Sequence, residues 1–285
     1  MKVHLLRRLS LLLLGIFLVS CSGPQAAATV PPSPTISSTT PGLANSPTIT
    51  STPYPTPTLT PTLVPHGGVC SPLSGIGLGE LHSITSNTFS YPSAFTDIGH
   101  PGVDLAFFTH GSFTTMYGLP VQSILPGRVT QVIDNRFPYG NMMIIETPLS
   151  QLSPELLASI SLPTPIPQQS IDAWSTCDKE MTPITWSEDE KSLYILYSHL
   201  EYKPEFKPGD VVECGQTIGA VGITGNSVAE HLHIEVRIGP SHAQFGSIAT
   251  YTQDATPEER YNYCIWSISG IFQATDPALF WKDFN

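Results

Sequence analysis

The sequence predicts an all-β fold built from antiparallel sheets. From residue 67 to residue 285 the chain is rich in Gly, Pro and Thr, and its runs of Val and Ile are short. Turn signals separate these runs, as at Pro126-Gly127 and at Lys207-Pro208-Gly209. Short β-branched runs with Gly and Pro between them are typical of antiparallel sheets. This length is sufficient for one compact domain.

Strands are predicted where an apolar run follows such a turn: at 121–124, 128–133, 142–146, 192–199, 215–222 and 231–238. Two segments, 147–191 and 239–275, interrupt this series and are predicted as long loop insertions. The first holds one predicted short helix over 155–160, because Ser153 can cap it and Pro154 can begin it. Loops this long in a compact domain are usually functional or tied down.

The N-terminus, residues 1–20, has the features of an export signal. Three basic residues precede an apolar run at 9–19, which is shorter than the ~20 residues that a membrane span needs. The tail Leu18-Val19-Ser20-Cys21 resembles a bacterial lipobox, which implies cleavage before Cys21 and acylation of that residue. Several acyl chains on Cys21 would anchor the protein to a membrane. The alternative is an ordinary secretory peptide with a chance cysteine.

Residues 21–66 are expected to form a disordered linker that begins at the lipidated cysteine. The stretch 22–65 contains 11 Pro, 11 Thr, 6 Ser and no charged residue. Such a composition cannot bury enough apolar surface to offset the entropy of the chain. At ~3 Å per residue, a Pro-rich spacer of this length would reach on the order of 100 Å from the membrane. The folded domain is therefore predicted at 67–285.

The charge of the exported chain argues against nucleic-acid binding. Without the basic residues of the signal, 9 Lys and Arg stand against 23 Asp and Glu, a formal charge of −14. A chain this acidic repels phosphate backbones.

Four further cysteines, Cys70, Cys177, Cys214 and Cys264, follow the lipobox. An even number in an oxidising compartment predicts two disulfides. None has the C-x-x-C spacing of a structural zinc site. Since Cys177 and Cys264 lie in the two insertions, we expect them to pair and to pin these loops together. Four free buried thiols are the alternative.

Three short motifs contain the residues suited to metal chemistry. His100-Pro-Gly-Val-Asp104 contains a turn signal that can bring its two ends together, and His199 ends a predicted strand. In His231-Leu-His233, the period of two puts both rings on one sheet face, ~7 Å apart. Two His and one Asp would leave a fourth tetrahedral position open, as in a catalytic zinc site. Taken alone, a motif of the first or the third kind is more often a chance or surface pattern than a metal site, and His199 alone could simply bond to backbone.

Together and in this order, the motifs resemble the lysostaphin-type zinc endopeptidases of bacterial cell walls, the LytM or M23 peptidases. The resemblance covers 99–237 apart from the insertion at 147–191, together with the ending at 276–277. The matching residues are His100-Pro-Gly-Val-Asp104-Leu-Ala, Gly127-Arg-Val129, Tyr139-Gly-Asn141, Tyr197-Ser-His199-Leu, Pro208-Gly-Asp-Val-Val, Gly215-Gln-Thr-Ile-Gly219, Val221-Gly-Ile-Thr-Gly225-Asn-Ser and His231-Leu-His233-Ile-Glu-Val-Arg237.

The resemblance implies the antiparallel β-sandwich of a lysostaphin-type peptidase domain. It implies one Zn²⁺, bound by His100, Asp104 and His233, with His199 and His231 as an unliganded catalytic pair. Four residues are expected beside the substrate groove, although the spacing of the first departs from the family: Tyr91, Asn141, Thr224 and Asn226.

The function implied is that of a membrane-tethered zinc endopeptidase in the cell envelope, outside the cytoplasm, cutting peptide cross-links or stems of peptidoglycan. The alternative is a non-enzymatic, lysostaphin-like lipoprotein that activates a separate cell-wall amidase. Relatives of that kind have typically lost zinc ligands, whereas all five motif residues are present here. A general extracellular protease or a peptide-toxin hydrolase on the same scaffold is a third reading.

Overall fold

The computed structural model describes residues 68–93, 96–160, 177 and 184–284, which lie in one compact unit, Thr58–Asn285. The predicted signal, Cys21 and the linker lie outside the described residues, and they stay predictions. Among the helices that the structure describes, none is long and apolar enough to cross a membrane.

Antiparallel pairing joins the strands of the described residues into two sheets. The larger sheet has the order β1-β2-β9-β6-β5-β4-β7, and β10 pairs with β9 beyond the end of β2. The smaller sheet contains β3 and β8. The predicted all-β, antiparallel fold is confirmed. The strand bounds are β1 Thr85–Asn87, β2 Gly102–Leu105, β3 Pro120–Gln122, β4 Gly127–Arg136, β5 Gly140–Pro148, β6 Ser187–Leu200, β7 Val211–Val212, β8 Thr217–Ala220, β9 Leu232–Ser241 and β10 Gln273–Thr275.

The larger sheet is covered on both faces. Successive residues of β5 alternate between two apolar clusters: Met143 and Ile145 belong to one, Met142 and Ile144 to the other. This alternation follows from the strand period of two and explains why β5 is a continuous apolar run. The first cluster includes residues of the smaller sheet, and the second includes residues of the insertion at 239–275.

Helices are few in the described residues. α1 is Pro154–Ser159, and the backbone N–H of Leu156 donates to the Ser153 hydroxyl, so the predicted cap is confirmed. α2 is Pro257–Ser267. Four short 3-10 helices lie at Leu78–Ile84, Leu149–Gln151, Pro277–Phe280 and Lys282–Phe284.

The insertion at 239–275 is not the irregular loop that the sequence predicted, because it contains α2 and β10. Thr256 and Glu259 form a capping box at the start of α2, with Pro257 at the first helical position. These residue types at this spacing are a helix-start signal. The helix therefore begins where the sequence specifies it, and its residue Trp266 is fully buried under the sheet.

Two disulfides join the described residues, as predicted. Cys70 bonds to Cys214, and Cys177 bonds to Cys264. The second bond links the first insertion to α2, which is the pairing expected from the positions of these cysteines in the two insertions.

Replacing Cys70 and Cys214 together with Ser is expected to lower the free energy of unfolding by about 2–5 kcal/mol, because the unfolded chain regains the freedom of a loop that spans 144 residues. Urea unfolding of the double variant and the wild type measures the difference. A non-reducing peptide map of the wild type should show the two bridges. Four free thiols, or equal stabilities, would contradict the pairing.

Candidate metal centre and cleft

The three predicted ligands meet at the edge where β2 pairs with β9. Asp104 and His233 are directly opposite in the strand register, and Asp104 Oδ1 lies 2.7 Å from His233 Nδ1. His100, just before β2, places Nε2 3.2 Å from each of these two atoms. These residues can offer one ligand atom each, all within 4.8 Å of one another, as a metal site requires. The two ends of the first motif, His100 and Asp104, are thus in contact as expected, but no turn at Pro101-Gly102 joins them, because β2 already begins at Gly102.

Gly102 allows β2 to lie this close to β9. A Cβ atom at this position would be 2.2 Å from the carbonyl oxygen of Ile234 and 2.9 Å from Cε1 of His233. Since one of these neighbours is backbone, a larger residue would force the two strands apart. Gly102 acts here through close approach within a strand rather than as part of a turn.

Groups around the centre orient the ligands. His100 Nδ1 donates to the carbonyl of Thr88 at 3.0 Å, which leaves Nε2 directed at Asp104. Asp104 Oδ2 accepts from the side-chain amide of Asn87 at 3.1 Å, which leaves Oδ1 for the centre. Such outer contacts fix the tautomer and the orientation of a metal ligand.

His233 is held from behind by a buried carboxylate. His233 Nε2 lies 3.4 Å from Oε1 of Glu235, which has no exposed surface. Oε1 also accepts from the Tyr139 hydroxyl at 2.7 Å, while Oε2 accepts from Arg237 Nε at 2.9 Å and from the Trp266 indole at 3.1 Å. The indole comes from α2, so the second insertion completes this network.

Arg237 supplies the positive charge that keeps Glu235 ionised. Burial alone raises the pKa of Glu235, but Arg237 and the hydrogen bonds from His233 and Tyr139 outweigh it and lower the pKa to about 2. The guanidinium lies 5.0 Å from the centre of the Trp266 ring and donates through Nη1 to the Phe272 carbonyl. Its Nη2 is 2.9 Å from Glu235 Oε2 without hydrogen-bond alignment.

The charges at the centre are strongly coupled. Burial raises the pKa of Asp104, but hydrogen bonds from His100 and His233 dominate and hold it well below its usual range. Burial lowers the pKa of His233, but Asp104 and Glu235 reverse this and raise it to about 9. In the metal-free protein His233 is therefore a cation between two carboxylates, a place that suits a metal ion.

His199 and His231 lie beside the three ligands. Their ring centres are 4.6 Å apart, and His231 Nε2 is 3.6 Å from Asp104 Oδ1. His199 Nδ1 donates to the carbonyl of Thr224 at 2.8 Å, and His231 Nδ1 donates to that of Ala229 at 2.9 Å. In both rings the nitrogen left for chemistry is Nε2.

The backbone of His199 is strained and its ring is neutral. Its φ of 59° lies in the left-handed region, which costs roughly 1–3 kcal/mol for a residue other than glycine and is often found at functional sites. Burial, and then the charges of His233 and His231, lower its pKa to about 3. At neutral pH, Nε2 of His199 therefore carries no proton, although the same lowered pKa makes it a weaker base than a free imidazole.

A cavity of about 510 Å³ opens over these histidines. Of the four residues predicted beside the groove, Asn226 lines this cavity, whereas Tyr91, Asn141 and Thr224 are not among its lining residues. Tyr91 is exposed and packs edge-on against Phe89.

Asn141 and Thr224 support the site from behind. Asn141 is buried, and its amide donates to the carbonyls of Leu200 and Glu201. The hydroxyl of Thr224 also donates to Leu200, while its carbonyl orients His199. Both are corrected from groove residues to residues that position the end of β6.

Sequence reasoning missed the network behind His233. His233, Glu235 and Arg237 alternate with apolar residues along β9, and that pattern was a usable signal. Polar residues at a period of two share one sheet face. These residues form a buried network rather than a solvated face because α2 covers them. The sequence pattern does not show this cover.

A comparison with known families matches the part of the chain that contains three of these histidines, but not His100 or Asp104. Residues 175–245 match the family model described as Peptidase family M23, a span that contains His199, His231 and His233. Over this span, 71 of the 285 residues, the chain is similar to the M23 peptidases.

Several solved structures resemble parts of this chain. A zinc-containing peptidase from Vibrio cholerae is 20% identical with a TM-score of 0.31, over 58% of this chain and 37% of that one. The lysostaphin catalytic domain from Staphylococcus simulans is 20% identical with a TM-score of 0.35, over 71% and 95%. A variant catalytic domain of the M23 protein EnpA from Enterococcus faecalis is 22% identical with a TM-score of 0.31, over 56% and 83%. The match thus spans less than two thirds of the Vibrio protein, and at these values the likenesses carry no information on activity.

Replacing Glu235 with Ala is expected to destabilise the folded domain by about 3–5 kcal/mol, because Arg237 would remain buried without its partner. Glu235→Gln should cost less, since it keeps an acceptor for Tyr139. Urea unfolding measures both, with the exposed Glu205→Ala as control. If Glu235→Ala is as stable as that control, the buried network is not structural.

Proposed function

We propose that this protein is a zinc-dependent endopeptidase that hydrolyses peptide bonds of peptidoglycan. One observation carries the proposal. The folded domain brings His100, Asp104 and His233 to one point and sets two further histidines beside them, in an open cleft. A metal site with unliganded histidines next to it is typical of a hydrolytic site rather than of a purely structural metal site.

The donor set fits zinc. Ligands at 2.0–2.1 Å in a tetrahedron are about 3.3 Å from one another. The ligand atoms of His100, Asp104 and His233 are already separated by 2.7–3.2 Å. Two imidazoles and one carboxylate leave the fourth position for water or substrate, and the outer contacts to Thr88 and Asn87 hold two of the ligands in place.

The chain's own residues then divide the proton transfers of peptide hydrolysis. Zinc supplies Lewis acidity, which polarises a carbonyl group and acidifies water. His199 is neutral, so its Nε2 lone pair is free to receive the proton of the attacking water, although its lowered pKa makes it a weaker base than a free imidazole. His231 places Nε2 near Asp104, where it can stabilise negative charge on the carbonyl oxygen and protonate the departing amine. The hydrogen bonds to Thr224 and Ala229 keep both rings in the orientation that these steps need.

The proposed location is the cell envelope, outside the cytoplasm. Two disulfides suit an oxidising compartment. The lipobox at Cys21 and the uncharged Pro/Thr-rich linker support a protein that is held at a membrane and reaches a substrate above it. The substrate class comes from the family, and the tether is consistent with it.

Residues 67–285 loaded with zinc are expected to release soluble peptides from purified peptidoglycan, with new amino and carboxyl termini that mass spectrometry identifies. His231→Ala should lower the rate by at least about 100-fold, because general acid–base catalysis contributes about 10²–10⁴-fold. A chelator should stop release and added zinc should restore it. No release by the zinc-loaded domain would contradict the proposal and favour the amidase-activating alternative.

A further inference from the structure

We propose that Asp97, Tyr251 and Tyr263 form a subsite for a positively charged amino group of the bound peptide. These three residues, called the outer subsite below, line the same cavity as the histidines of the metal centre. The inference rests on the proposed function, since it assigns a feature of the substrate to the same cleft.

A line of aromatic rings connects the metal centre to the outer subsite. The Tyr139 ring lies 6.5 Å from that of His233, and the next step, from Tyr139 to Tyr263, is 6.3 Å. Tyr251 follows at 5.9 Å from Tyr263. All four residues line the cavity. A peptide bound at His233 can therefore contact Tyr263 and Tyr251 with a neighbouring residue or with a long side chain.

Asp97 offers a carboxylate in the outer subsite. Its Oδ2 accepts from the Tyr263 hydroxyl at 3.0 Å. Its Oδ1 has no hydrogen-bond partner among the residues that the structure describes, and the side chain lines the cavity. Burial, the nearby Tyr139 and Asp97 raise the pKa of Tyr263, so Tyr263 stays neutral and keeps Asp97 in place. One carboxylate oxygen is thus available to a ligand.

Tyr251 is placed at the rim in a strained conformation. Its φ is 64°, and its side chain is 65% exposed. Phe137 and Tyr263 pack edge-on against it, and the N–H of Thr250 donates to the Phe137 carbonyl. Such strain persists only where the surroundings fix it. Tyr251 is thus an exposed aromatic ring next to Tyr263, which holds the Asp97 carboxylate, and aromatic faces attract cations.

The charge of the cavity favours an ammonium group over a carboxylate. Among the described residues that line it, Arg237 is the one Lys or Arg side chain, and it is buried against Glu235. In the outer subsite Asp97 is not neutralised by a basic partner. A substrate carboxylate would be repelled there, whereas a primary amine gains a charge-assisted hydrogen bond.

Binding measurements distinguish two sources of the amino group, a lysine side chain and the amino terminus of the peptide. The probe is the synthetic peptide Ala-Ala-Lys-Ala-Ala in four forms: unmodified, acetylated on the lysine amine, acetylated on the terminal amine, and acetylated on both. Dissociation constants are measured with the purified wild-type protein and with Asp97→Asn, Tyr263→Phe and Asp189→Asn. Asp189 is exposed and lies outside the cavity, so its variant makes the same charge change elsewhere.

The doubly acetylated peptide is expected to bind the wild type about ten-fold more weakly than the unmodified one, which is about 1.4 kcal/mol. The singly acetylated form that loses this affinity identifies the amine that is recognised. Asp97→Asn, which retains an acceptor for Tyr263, should bind all four forms alike. Tyr263→Phe should reduce the discrimination, and Asp189→Asn should preserve it.

Equal binding of all forms to the wild type, discrimination retained in Asp97→Asn, or no binding of any form would each overturn the outer subsite. If the protein discriminates between the peptide forms but releases no peptides from peptidoglycan, the outer subsite is supported and the proposed function is rejected. If it releases peptides but binds all forms alike, the proposed function is supported and the outer subsite is rejected.

Discussion

The pairing register between β2 and β9 is the constraint on which the site depends. It places Asp104 opposite His233 at 2.7 Å, and Gly102 permits the approach because a Cβ would meet the backbone of β9. A slip of one residue would turn His233 to the other face of the sheet. β9 also pairs with β6, whose last residues include His199, so one central strand aligns the proposed ligands with the histidines beside them.

The second insertion, 239–275, supplies residues that surround the candidate metal centre. Trp266 of α2 donates to Glu235, which in turn orients His233, and Tyr263 of the same helix lines the cleft. The disulfide to Cys177 ties this helix to the first insertion. The buried ion pair between Glu235 and Arg237 is costly to desolvate and costly to break, and Glu235 also contacts His233, so the pair both supports the fold and holds His233 in place.

Much of this arrangement follows from local sequence. Strand positions, the Ser153 cap and the grouping of His100 with Asp104 depend on short-range patterns, and the disulfide of Cys177 followed from two long loops with one cysteine each. The start signal of α2 at Thr256 was also local and was overlooked. The burial of Asn141 and the cover that α2 gives to Glu235 arise from contacts between segments distant in the chain, which no local pattern encodes.

The central claim is that three residues hold one zinc ion while their neighbours do the chemistry. Zinc titration of the metal-free protein against a competing chelator tests it most directly, for the wild type, His233→Ala and His231→Ala. We expect one zinc per wild-type domain, no measurable binding by His233→Ala, and nearly unchanged affinity in His231→Ala. Equal loss of zinc in both variants would contradict this division of roles.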